Sequence, residues 1–296
     1  MLREQREFVT LPHVERGARM IDAHQHFWQL ARGDYDWLTP DLELLYRDFG
    51  PDDLAPLMRW ADVGRSVVVQ AAPTVAETRY LLGLAAESPW VAGVVGWIEM
   101  TEPGAGETLE ALAADGPLCG VRPMIQDIQD PDWMLDRRLE PALRALVERD
   151  LTFDALVKPI HLPNLLRLLE RNPELRVVID HGAKPEIAQG RLDPWRSDIE
   201  RVARETGACC KLSGIVTEAA AGWDVETLRP VFDHLMACFG PGRLLWGSDW
   251  PVVELAGGYD SWRAATLQLL ADLADHERLG ILGDNAARFY RLEEAR

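Results

Sequence analysis

Basic side chains are in short supply: 31 lysines and arginines stand against 48 aspartates and glutamates, a formal net charge of −17. Such a surface repels phosphate, which excludes nucleic acid and anionic membrane as partners and leaves a small molecule. Cysteine is scarcer still. The 4 present, Cys119, Cys209, Cys210 and Cys238, show no C-x-x-C spacing, and neighbours in a strand face opposite ways. A disulfide framework is therefore excluded, and a reducing, cytoplasmic location is expected. No apolar run reaches the ~18 residues of a membrane span, and the charged opening "MLREQREFVTLPHVERGARM" has no signal-peptide core. Tandem repeats, low-complexity tracts and long linkers are missing too. So is a G-x-G-x-x-G turn after any early strand, which argues against a dinucleotide cradle in an open sheet.

What is present is a repeated pattern. Short apolar runs occur at 20–26, 66–72, 91–99, 118–125, 151–158, 175–182, 208–214 and 243–250. Between most of them lie amphipathic stretches such as "TRYLLGLAAE", "LEPALRALVER", "LPNLLRLLERN" and "VETLRPVFDHLMACFG", and "DNAARFYRLEEAR" adds a last helix. Apolar strands alternating with helices predict an α/β fold with a parallel sheet covered on both faces, and eight such units close a (β/α)8 TIM barrel. The expected organisation is an N-terminal extension, 1–19, and one barrel domain, 20–296. The first connection, from Phe27 to Arg65, is unusually long, and its Tyr35, Trp37 and Tyr46 either cover a site or pack over the rim.

In such barrels catalytic groups gather at the C-terminal ends of the strands. Those ends carry His24 and His26, Gln70, Glu99, Arg122, Lys158, His181, Lys211 with Ser213, and Asp249. In "MIDAHQHFW" the two histidines are two apart, so in a strand both imidazoles face the same volume. Read singly, Asp249 in "WGSDWP" is also accounted for as a turn aspartate, and His181 in "VIDHGAKP" as a core histidine. Three histidines and an aspartate at separate strand ends call for a metal site or an acid–base site, and the donor types suit one Zn²⁺ or similar cation with an open position for water. The 11 tryptophans suit a sugar-like ligand, since an indole face packs on C–H surfaces. Trp28, Trp97 and Trp250 stand at strand ends, and Trp28 is the substrate-binding candidate.

Taken in order, "IDAHQHFW", "VKP", "DHGAKP" and "LLWGSDWP" resemble the amidohydrolase superfamily. The match is to its amidohydrolase-2 branch and to sugar lactonases of the L-fuconolactonase and L-rhamnonolactonase type, over about Met20 to Leu292. The resemblance implies a metal-dependent-hydrolase barrel that opens a sugar-acid lactone to the free acid. It places His24, His26, His181 and Asp249 in the family's polar cluster, as ligands of one Zn²⁺ or other divalent cation. Arg122 and Lys184 match cationic groups that hold substrate oxygens. Binuclear members carry a bridging lysine after the fourth strand and a histidine after the fifth, where this chain has Arg122 and Lys158. One cation, rather than two, is implied, with metal-independent catalysis by the cationic side chains as the alternative.

Lactone opening needs a base for water and donors for the carbonyl oxygen as charge grows on it. The expected base is Asp249. His181 and Lys158 complete the catalytic set, and Arg122, Lys184, Gln70 and Trp28 bind substrate. Two other classes share the pattern: a Zn-dependent decarboxylase of an aromatic acid, and a sugar-acid-binding barrel without chemistry. A homo-oligomer is compatible with the sequence.

Overall fold

The computed structural model describes residues 20–292; the extension expected over 1–19 lies outside them. Eight strands form one sheet in sequence order: β1 (Met20–Gln25), β2 (Val63–Val69), β3 (Val91–Gly96), β4 (Leu118–Val121), β5 (Thr152–Ala155), β6 (Val177–Ile179), β7 (Cys209–Leu212) and β8 (Leu244–Trp246). Each pairs in parallel with the next. The ring is drawn together where Gln25 bridges Trp250 in parallel, and where the Asp249 and His26 amides donate to the His24 and Trp250 carbonyls at 2.8 and 2.7 Å. The helices are α1 (Pro51–Trp60), α2 (Val75–Glu87), α3 (Ala105–Ala114), α4 (Glu140–Glu148), α5 (Leu162–Arg171), α6 (Trp195–Glu205), α7 (Val225–Phe239), α8 (Gly258–Leu269), α9 (Asp275–Leu279) and α10 (Asn285–Tyr290). None of the described helices is long and apolar enough to cross a membrane.

Strand alternation divides the core. Val68, Val94, Phe153, Ile179, Leu212 and Trp246 pack outward with the helices, whereas Ile21, Val67, Val95, Cys119, Val178 and Leu245 form a separate cluster with Ala286 and Tyr290 of α10. That second cluster is the barrel interior, and α10 is its plug. Helix α5 shows how the outer layer forms: Leu162, Leu165, Leu166 and Leu169 recur three and four apart and are buried. Each such leucine contributes roughly 1.5–3 kcal/mol on leaving water.

All eight expected strands are present. Strand β2 starts at Val63 rather than 66, because Val63 and Arg65 pair with Met20 and Ile21, and pairing overrides the polar look of "GRS". In the long first connection Trp28 and Phe49 form an antiparallel bridge. Tyr35 donates to Glu77 Oε2 at 2.7 Å, and the Trp37 indole donates to the Ala71 carbonyl at 2.8 Å. These two aromatics pack into the rim, while Tyr46 is exposed.

Candidate active site

The β1–β2 register slips between Asp22 and Gln25, a local shift of the kind that re-aims side chains beside active sites. Ile21 and Ala23 belong to the interior cluster, and beyond the slip His24 and His26 share one volume, with ring centroids 4.9 Å apart. His181 joins them from the end of β6, 4.5 Å from the His24 ring. After β8, Asp249 presents Oδ1 to all three Nε2 atoms: 3.3 Å from His26, 3.7 Å from His24 and 3.9 Å from His181. The structure thus brings together the four residues expected to form the polar cluster.

The backbone is bent to achieve this. His181 and Asp249 sit at φ +54 and +58, left-handed conformations that cost a non-glycine residue on the order of 1–3 kcal/mol and gather at functional sites. Gly214, at φ +61, supplies the room: a Cβ there would collide with the His181 ring and come within 3.1 Å of Asp249 Oδ2.

Each imidazole is oriented by its other nitrogen. His26 Nδ1 donates to the Val69 carbonyl at 2.8 Å, which leaves its Nε2 lone pair free to face Asp249, and His181 Nδ1 meets Ser213 Oγ at 2.9 Å. Burial lowers the pKa of His24 and His26 and brings His181 down to about 4. All three are neutral at pH 7, the form that binds metals. Burial by itself would raise Asp249, but His181, His26 and His24, once protonated in acid, outweigh it and keep the carboxyl below the usual carboxylate range.

Arg122 reaches the same place. Its Nη1 lies 3.3 Å from His24 Nε2, and its Nη2 donates to the Gln70 carbonyl. The Gln70 amide returns a bond to the Arg122 carbonyl at 2.7 Å. Arg122 Nε and Gln70 Oε1 are buried with no hydrogen-bond partner, leaving a donor and an acceptor for a ligand.

The other expected cations stand around this cluster, Lys184 close enough to His181 to act on its charge. Lys158 is exposed and donates to the Gln126 carbonyl at 3.1 Å. Lys184 pairs with Glu218 at 3.6 Å. Trp28 requires a correction: its indole has no exposed surface, donates to the Arg47 carbonyl at 2.8 Å and packs edge-on against Trp37 and Phe49. It builds the rim rather than a face for substrate.

Beneath the cluster lies a layer of which the strand-end reading picked out Lys211 but not its partners Asp154 and Asp180. Lys211 of β7 is wholly buried, and its Nζ lies 2.6 Å from Asp154 Oδ2, 3.0 Å from Asp180 Oδ1 and 3.0 Å from His24 Nδ1. Asp154 is held from below by the Tyr290 hydroxyl at 2.5 Å and from the side by Thr152 Oγ1 at 3.0 Å. Burial opposes the charge on Lys211, but Asp154 and Asp180 raise its pKa. Asp180 is driven well below the carboxylate range by Lys211 and His24 despite burial. The signal was a charge inside an apolar run, in "TFDAL", "VVIDH" and "CCKL".

Among the described residues, two overlapping sets have donor atoms close enough for one metal ion: His24, His26 and Asp249, and His24, Asp180 and His181, each within 4.8 Å. Neutral imidazoles backed by hydrogen bonds, together with a carboxylate, are the donors of a catalytic divalent-cation site.

Fold and site together define a (β/α)8 barrel of the hydrolase kind, with its reactive groups at the strand C-termini. The Amidohydrolase family model matches residues 21–292, and the chain belongs to this family. It is 46% identical over 277 residues to an L-fucono-1,5-lactonase of Burkholderia ambifaria, covering 92% of this chain and 96% of that protein. An L-fucono-1,5-lactonase of Burkholderia multivorans is 35% identical, covering 94% and 98% of the two chains. An amidohydrolase of Burkholderia multivorans, crystallised with bound zinc, superposes with a TM-score of 0.87 at 34% identity, covering 93% and 99%.

Proposed function

We propose that the chain hydrolyses a sugar-acid lactone, of the L-fucono-lactone kind, to the free acid. The observation that carries this reading is the convergence of three Nε2 atoms on Asp249 Oδ1 within 3.3–3.9 Å, beside an arginine with an unpaired Nε. The likeness to two L-fucono-1,5-lactonases supports the substrate class.

His24, His26, His181 and Asp249 would hold one divalent cation, Zn²⁺ being the ion bound in the Burkholderia multivorans amidohydrolase. When bound, such an ion supplies Lewis acidity and lowers the pKa of water. Asp249 is the base: Oδ2 takes the proton from the water that attacks the lactone carbonyl, and gives it to the ring oxygen as the acyl C–O bond breaks to leave the hydroxy acid. Arg122, fixed by Gln70, stabilises the negative charge that grows on the carbonyl oxygen. Gln70 Oε1 accepts a substrate hydroxyl. Lys158 and Lys184 stand as cations for further substrate oxygens. The four free cysteines support a cytoplasmic setting.

The test is a pH-indicator assay over L-fucono-, L-rhamnono-, L-galactono- and D-arabinono-lactones, with and without chelator. Acid release from at least one, abolished by chelator and restored by Zn²⁺, is expected. CO₂ release from an aromatic acid, or saturable lactone binding without acid release, would overturn the proposal.

A further inference from the structure

Asp249 and Asp180 flank the same imidazole, yet their surroundings differ. Among the described residues, Asp249 has only the three imidazoles as ion-pair partners. Asp180 has Lys211 at 3.0 Å and Arg122 at 3.6 Å as well as His24 at 3.4 Å. Both could join His24 in holding an ion. We propose that Lys211 selects between these overlapping sets: its ammonium bars the inner one, His24, Asp180 and His181, and confines the cation to the outer one with His26 and Asp249. The inference rests on the metal reading above.

An ion about 2.1 Å from Asp180 Oδ1 would lie within roughly 5 Å of the Lys211 ammonium, and the burial of both side chains weakens the screening of that repulsion. Lys211 cannot swing aside. Its side chain is wholly enclosed, and Asp154, itself anchored by Tyr290 and Thr152, grips Nζ from below. Barrel interiors are ordinarily filled by branched apolar residues, and burying charges carries a desolvation penalty that apolar side chains avoid. Retaining Asp154, Asp180 and Lys211 here is explained if Asp180 is needed to orient His24 while being kept from ligation. Lys211 is thus a positioning residue for the ion.

The experiment compares the wild type with Lys211→Met, which keeps a long unbranched chain without charge. Lys211→Met/Asp154→Asn, which removes one charge of each sign, serves if the single variant does not fold. Each protein is loaded with Zn²⁺ alone, and the ion is located by anomalous scattering at the zinc edge. The wild-type ion is expected at Asp249 with His24, His26 and His181, away from Asp180. In the variants it should move to, or divide with, a position ligated by Asp180. Binding gives a second readout. Asp249→Asn should weaken Zn²⁺ affinity about 100-fold with Lys211 present, but less than about tenfold in the Lys211→Met background, because the inner set takes over. A folded variant that keeps the ion wholly on the outer set, or an equal Asp249→Asn penalty in both backgrounds, overturns the role of Lys211. A wild type without zinc in either set would refute the metal reading as well.

Discussion

The outer cluster and the charge layer beneath it are built from the same chemical parts and do opposite jobs. Around Asp249 a carboxylate faces three neutral imidazoles; around Asp154 and Asp180 two carboxylates close on one ammonium. Burial is nearly equal in the two places, with Asp249 at 4% exposure and Asp180 at 0%. What differs is counter-charge. A carboxylate clasped by an ammonium has less charge left to offer an ion, whereas one that faces imidazoles can share an ion with them.

That contrast is broken most severely at Asp249. Asp249→Asn should lower kcat/KM by about 10²–10⁴-fold, the usual worth of a positioned base, with an unchanged circular-dichroism spectrum. Hydrolysis rates on the best lactone check it. Next in size is acid titration of the outer cluster. In the chelated protein His181 has a pKa of about 4, against 6.5 when unfolded. The unfolded chain therefore takes up a proton first, so stability is undiminished above pH 6.5 and drains away as pH falls from there to about 4. The shift corresponds to about 3 kcal/mol, and urea unfolding across that window should show a shallower acid loss in His181→Asn.

The inner layer is sharpened by Tyr290→Phe, which removes the hydroxyl from Asp154. A stability loss of about 1.5–3 kcal/mol, typical of a hydrogen bond to a charged group, is expected in denaturant unfolding. The smallest effect belongs to the rim: Lys184→Met breaks a half-buried pair with Glu218 and should change stability by less than about 1 kcal/mol, while raising KM for the lactone.

The barrel was legible because its strands are buried on both faces and read as apolar runs, and because a parallel barrel places function at strand ends. His24, His26, His181 and Asp249 follow from that rule. Its weakness shows at Trp28, which also stands just past a strand: proximity to the end does not say whether a ring turns toward the mouth or into the rim, and here Arg47, Trp37 and Phe49 decide. Lys158 sits at an end as well, yet its exposed chain is engaged by Gln126. Lys211 was visible at its strand end, but its partners Asp154 and Asp180 are hidden for the opposite reason. Each is a charge within an apolar stretch whose partner lies on another strand, Lys211 standing 57 positions from Asp154, so no local pattern joins them.

Tyr290 ties the last described helix to the carboxylate that grips Lys211. A nascent chain that has left the ribosome only as far as Asp249 already owns every outer donor, but lacks the hydroxyl under Asp154 and the helix in the floor. The layer under the cluster is therefore complete only once the segment carrying Tyr290 is in place.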